Sequence, residues 1–191
     1  SSTCSMIAIP TTAGTGSEAT HFAVLYIGKT KYSLAHEMML PKYTILDAEL
    51  TYSLPPKVIA SCGLDALSQA IESYWSIHST EESKQYSLEA MKLISKYFLK
   101  SLQHDEIVAK EKMLIASNLA GKAINIAKTT APHALSYAFT SYFGVPHGHA
   151  VALTLGEILP YNYNVKTDDC LDERGVDYVR RTIEEICSAL N

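Results

Sequence analysis

The sequence predicts a mainly α-helical fold entered through a short β-rich segment. Three observations carry that reading. From residue 61 onward, apolar residues recur at spacings of three and four. Before residue 54 the apolar runs are short and separated by small and turn-forming residues. The change of character falls at Leu54-Pro55-Pro56. We therefore divide the chain into residues 1–53 and residues 54–191.

The first part holds three expected strands. Ser5 to Ile9 (SMIAI) is an apolar run stopped by Pro10, as a buried strand would be. Phe22 to Ile27 (FAVLYI) and Tyr43 to Leu46 (YTIL) read the same way, with a turn at Gly28-Lys29-Thr30. Between the first two lies a loop of small residues, TTAGTGSEAT, from Thr11 to Thr20. Six helices are expected after the proline pair. Ser61 to Ser76 places Leu64, Leu67, Ile71 and Trp75 on one stripe. Glu81 to Lys100 does so with Leu88, Met91, Ile94, Tyr97 and Phe98. Asp105 to Ile126, Thr129 to Tyr142, His147 to Tyr163 and Asp172 to Leu190 complete the set. No internal repeat or coiled-coil heptad is evident.

Composition narrows the function. The 191 residues are 47% hydrophobic and 19% charged, which suits a globular chain with a sizeable core. A net charge of −4 gives no electrostatic footprint for nucleic acid or an anionic membrane. The apolar runs are too short to span a bilayer, and the first residues, SSTCSMIAIP, do not read as a signal peptide. Cys4, Cys62, Cys170 and Cys187 are scattered without a C-x-x-C pair, so we expect reduced thiols and a cytoplasmic protein.

The polar residues that stand out are those on apolar segments. Asp65 and Gln69 in GLDALSQAIESYW share one helical face, with Glu72 near it. A carboxylate on an apolar stripe is costly unless it is paired, hydrogen-bonded or bound to a metal. Taken alone, Asp65 reads as an ordinary acid at a helix N-terminus. His133 follows Pro132, and His147 follows Pro146, so both sit at expected helix starts. With Asp65 they could converge on one divalent ion, Zn²⁺ or Fe²⁺. His149 points elsewhere on a helix and counts as peripheral or unrelated. The loop TTAGTGSEAT is neither a P-loop nor G-x-G-x-x-G, yet its hydroxyls and backbone N–H groups could face a phosphate; by itself it reads as a solvated turn.

In order, the strings IPTTAGTGSEAT, KYTILDAELTYSLPP, GLDALSQAIESYWS and PHALSYAFTSYFGVPHGHAVAL resemble the iron-containing (group III) alcohol dehydrogenase family, from Ile7 to about Tyr163. The resemblance implies a dehydroquinate synthase-like fold. Residues 54–191 would be its helical metal domain, truncated at the C-terminus. Residues 1–53 would be the remnant of an α/β dinucleotide-binding domain. The family's metal ligands fall on Asp65, His133 and His147, and on Gln69, where the family has histidine. Tyr137 stands where many members carry a further histidine near the nicotinamide. Thr11, Thr12, Gly14 and Thr15 match the stretch along the nicotinamide half of NAD or NADP, Lys31 a basic residue near the cofactor, and Leu50 the segment closing that pocket. Both ends of the chain look cut, so the chain alone is expected to have little dehydrogenase activity.

The implied reaction is metal-assisted hydride transfer between NAD(P) and a small alcohol or aldehyde. DALSQAIESYWS and KTTAPHALSY look like the branch that reduces phosphonoacetaldehyde to 2-hydroxyethylphosphonate, with Lys128 placed to meet the anion or to sit on the surface. A homo-oligomer is compatible with this reading. Two rivals stay open: a glycerol dehydrogenase or dehydroquinate synthase-like enzyme, and a helical piece with a vestigial site used only in assembly.

Overall fold

The computed structural model describes residues 5–28 and 30–191, apart from the side chains of Tyr26 and Lys31. The fold is mainly helical. Six helices follow the β-rich entry: α1 (Pro56–Trp75), α2 (Glu81–Ser101), α3 (Ile107–Ala127), α4 (Ala131–Phe143), α5 (His147–Tyr163) and α6 (Val176–Leu190). Ahead of them lie four strands: β1 (Ile7–Ala8), β2 (Phe22–Ile27), β3 (Thr30–Ala35) and β4 (Tyr43–Thr44). β1 and β4 pair in parallel, Ile7 opposite Tyr43, and β2 and β3 form an antiparallel hairpin with Phe22 opposite Ala35.

The β-rich entry departs from the sequence reading in three ways. The run from Ser5 to Ile9 forms only a two-residue strand and is not buried; Ile7 is 57% exposed. Its pairing with β4 satisfies backbone groups in a two-stranded ladder, while Ile9 beside it is also about half exposed, at 48%. The strand expected at Tyr43 to Leu46 ends at Thr44 for the same lack of a longer partner. β3 was not expected, because TKYSLA carries little apolar patterning; its partner across the hairpin makes it a strand.

α1 is the centre of the helical part and packs against α2, α3, α5 and α6. It starts at Pro56, not Ser61, because proline at the first helical position is pre-set in φ and lacks only an N–H the helix would leave unpaired. Asp65 therefore lies in the helix interior, not at its N-terminus. α2 begins with a reciprocal cap: Thr80 Oγ1 accepts from the Ser83 N–H at 3.1 Å and Ser83 Oγ accepts from the Thr80 N–H at 2.9 Å. The main core gathers Ala70, Ile71, Tyr74 and Trp75 of α1 with Ala90 and Met91, Leu119 and Ala120, Leu155, Ile183 and Ile186. A smaller cluster packs Ala66 against Ile94, Met113 and Ala116. Cys62, Cys170 and Cys187 are free thiols; Cys4 lies outside the described residues.

α6 starts at Val176, later than Asp172, because residues before it are used otherwise. Asp172 binds the Arg174 guanidinium at 2.8 Å, and Arg174 reaches the Ser76 carbonyl at 3.0 Å at the end of α1. Burial works to raise the Asp172 pKa, but hydrogen bonds from the Arg174 side chain and backbone outweigh it and hold the carboxyl below its ordinary range. A carboxyl depressed in the folded state contributes stability above its unfolded pKa of about 3.9 and loses it as pH falls through the lower folded value. Asp172→Asn is thus expected to lower the melting temperature at pH 7 and to flatten its dependence on pH below about 4. Parallel acid melts of the two proteins check this.

Candidate metal centre

Three helices aim polar side chains at one point. Asp65 comes from α1, His133 from the first turn of α4, and His147 opens α5. Gly144, at φ +67°, closes α4 and lets the chain turn back through Val145-Pro146 into α5. α5 then crosses α1 at Gly148, where a Cβ would overlap the Ser61 carbonyl oxygen. That close approach sets His147 beside Asp65. One ligand atom from each of Asp65, His133 and His147 lies within 4.8 Å of the others. His133 Nε2 is 3.2 Å from Asp65 Oδ1, and His147 Nε2 is 3.8 Å from the same oxygen.

His133 is held on its other side too. Its Nδ1 bonds Glu72 Oε1 within the helix interior. Glu72 is fully buried, and its second oxygen accepts from the Thr130 N–H at 2.6 Å and from Thr130 Oγ1 at 2.9 Å. Thr130 Oγ1 in turn accepts from the Trp75 indole N–H at 2.9 Å. This chain fixes the ring so that Nδ1 faces Glu72 and Nε2 faces Asp65 and the cluster, as carboxylates behind metal-binding histidines do. Burial alone would lower the His133 pKa, but hydrogen bonds to Asp65 and Glu72, with their charges, raise it to about 9. Glu72 is the residue that sequence reasoning left without a role. Its signal was its place on an apolar face seven residues after Asp65.

Gln69 shares the Asp65 face and is 3% exposed. Its Nε2 donates to the Thr15 carbonyl at 3.2 Å, and its Oε1 is buried without a hydrogen-bond partner. A buried orphan oxygen on the same helix face as Asp65, one turn along α1, fits a divalent cation. The four side chains supply two nitrogens and two oxygens, a set compatible with Fe²⁺ or Zn²⁺.

The other residues selected from sequence fall around this group. Tyr137 is half-buried one turn after His133, its ring parallel to His147 within 7° at 6.2 Å. Gly14 is buried against Cys62 of α1, and Thr12 is partly buried. Thr11 and Thr15 are exposed, with the Thr15 carbonyl on Gln69. Leu50 is 44% exposed on a short turn, Ala48–Thr51. Lys31 lies in β3, its side chain outside the described set. Lys128 is exposed at the end of α3, with φ 63° and ψ 171°. His149 is partly buried, and its Nδ1 has no hydrogen-bond partner. Among the described residues no helix is long and apolar enough to cross a membrane.

Two histidines and a carboxylate gathered on a helical scaffold, backed by a second carboxylate, make a cluster that could hold a metal ion. The comparisons then name the family. Residues 59–190 match the model of the C-terminal part of the Fe-containing alcohol dehydrogenase family, and residues 1–48 match the iron-containing alcohol dehydrogenase model. The chain belongs to this family. It is 40% identical over 189 residues to phosphonoacetaldehyde reductase of Streptomyces viridochromogenes, covering 97% of this chain and 48% of that protein. It is 37% identical over 160 residues to a probable alcohol dehydrogenase, EutG, of Salmonella typhimurium, covering 82% of this chain and 40% of that one. The crystal structure of sulfoacetaldehyde reductase from Bifidobacterium kashiwanohense in complex with NAD+ superposes with a TM-score of 0.80 at 38% identity, over 98% of this chain and 52% of that chain. The chain spans about half the length of these relatives.

Proposed function

We propose that the chain is the metal-bearing part of an NAD(P)-linked alcohol dehydrogenase or aldehyde reductase. In this reading residues 54–191 form the catalytic metal domain, and residues 1–53 belong to a dinucleotide-binding domain. The observation that carries it is the convergence of Asp65, His133 and His147 within 4.8 Å, with the orphan Gln69 Oε1 on the same face of α1 as Asp65. These four would hold Fe²⁺ or Zn²⁺. Bound there, the cation would supply polarisation of a carbonyl oxygen, and NAD(P)H the hydride. Glu72 keeps the His133 ring turned toward the cluster. By the family resemblance, Thr11, Thr12, Gly14, Thr15, Lys31 and Leu50 are the positions that would meet the nicotinamide half. Tyr137 Oη delivers the proton to the substrate oxygen.

The substrate class is an aldehyde with a short chain ending in a tetrahedral oxyanion. Two relatives support this, since their names carry a phosphonate and a sulfonate on acetaldehyde. Lys128 supplies the anion contact. Its backbone lies in a region almost confined to glycine, and it is the only non-glycine residue with positive φ among those described. Such strain costs about 1–3 kcal/mol, persists only where the surrounding structure holds it, and clusters at ligand-binding sites.

The test is NAD(P)H oxidation by metal-loaded protein carrying a dinucleotide-binding half ahead of residue 1. Phosphonoacetaldehyde is expected to show kcat/KM roughly 10- to 100-fold above acetaldehyde, as a charge-assisted hydrogen bond provides. Lys128→Gly should raise KM for the phosphonate alone, while raising thermal stability by relief of the backbone. Equal rates on both aldehydes would overturn the anionic substrate. No turnover of either would overturn the reductase reading.

A further inference from the structure

We propose that Gln69 couples occupancy of the metal site to the loop Thr11–Thr15; the inference rests on the metal-site reading above. The Thr15 carbonyl can only accept a hydrogen bond, so the amide atom facing it is the nitrogen, and Oε1 diverges from it on the other arm of the amide. The orientation of this buried amide is thereby settled by its neighbour. Oε1 then lacks a partner in a buried place, a condition that costs about 1–3 kcal/mol and is rare in folded proteins. Asp65 lies four residues earlier on the same helix, one turn away. A cation held by Asp65, His133 and His147 completes the Oε1 coordination and pins the amide plane.

Pinning the amide also pins what its other end holds. Gln69 Nε2 is a side-chain tether from α1 to the loop, 54 residues away in sequence. Downstream of it Thr15 Oγ1 donates to Ser17 Oγ at 3.0 Å and accepts from the Ser17 N–H at 3.3 Å. Order at Thr15 therefore passes into the turn that follows. Through this one side chain, metal binding orders the loop assigned to the nicotinamide. An amide side chain suits the task, because one planar group carries both a donor and an acceptor that diverge from the same carbon.

The experiment is hydrogen–deuterium exchange of the peptide spanning residues 11–19, with and without Zn²⁺ alone, beside calorimetric Zn²⁺ titration. In the unmodified chain Zn²⁺ is expected to slow exchange of this peptide by about fivefold, the low end of inter-site couplings. Gln69→Ala should weaken Zn²⁺ binding by roughly tenfold or more and abolish the slowing at saturation. Gln69→Glu keeps an oxygen donor but cannot donate to Thr15, so it should bind Zn²⁺ at least as tightly and show no slowing. Wild-type affinity in Gln69→Ala, or slowing retained in Gln69→Glu, overturns the coupling while leaving the metal site standing. Failure of the unmodified chain to bind Zn²⁺ overturns the metal reading and the coupling with it.

Discussion

Asp65→Asn is expected to weaken Zn²⁺ binding by roughly 10²- to 10³-fold while leaving the helical fold in place. Four-ligand zinc sites deliver about 10–16 kcal/mol, so each donor accounts for about 2.5–4 kcal/mol if the share is even. Asp65 carries more than an average donor would, because its Oδ1 faces both His133 Nε2 and His147 Nε2. Asparagine keeps the shape and one oxygen but removes the only charge among the four side chains that offset the cation. The metal-free protein should change little in far-ultraviolet circular dichroism, since Asp65 lies inside α1 and makes no cap. Calorimetry and circular dichroism on the same samples separate the two effects. Unchanged affinity would remove Asp65 from the site.

The second large effect is expected at Gly148. Alanine there would place Cβ on the Ser61 carbonyl oxygen, a backbone atom of α1 that cannot swing aside. The helices must part, at a cost typical of overpacking, about 1–3 kcal/mol or more. For a chain of this size that is about 2–4 °C in melting temperature per kcal/mol. Parting α5 from α1 also carries His147 away from Asp65, so Gly148→Ala should lose metal affinity as well as stability. Gly156 is the control in the same helix. A Cβ there meets nothing within 4 Å, and Gly156→Ala should stabilise by up to about 1 kcal/mol through helix propensity. Equal melting temperatures for the two variants would contradict the close crossing of α1 and α5.

The helices were legible because burial of one stripe imposes a period that survives in the sequence, and His147–Tyr163 was bounded correctly at both ends. Their starts were less so. α1 begins at Pro56, in PKVIA, where the apolar period is weak but proline at the first position supports a helix. α6 begins late because Asp172 and Arg174 bind each other and Ser76 across the molecule. β3 depends on its hairpin partner, not on its own composition. In the site, Asp65, His133 and His147 could be chosen from residue type, helix phase and resemblance. Glu72 could not be given its role, since its partners Thr130 and His133 lie 58 and 61 residues away. Likewise, nothing in Gln69 or Thr15 alone reveals that one holds the other. Contacts between distant segments come from packing, and packing is not written in local spacing.

The measurement that bears most directly on the central claim is anaerobic calorimetric titration of the unmodified chain with Fe²⁺ and then Zn²⁺, beside Asp65→Asn. The account predicts one ion per chain, bound tightly by the unmodified protein and weakly by the variant. Absence of binding to the unmodified chain, or equal binding by both, would contradict a metal centre built by Asp65, Gln69, His133 and His147.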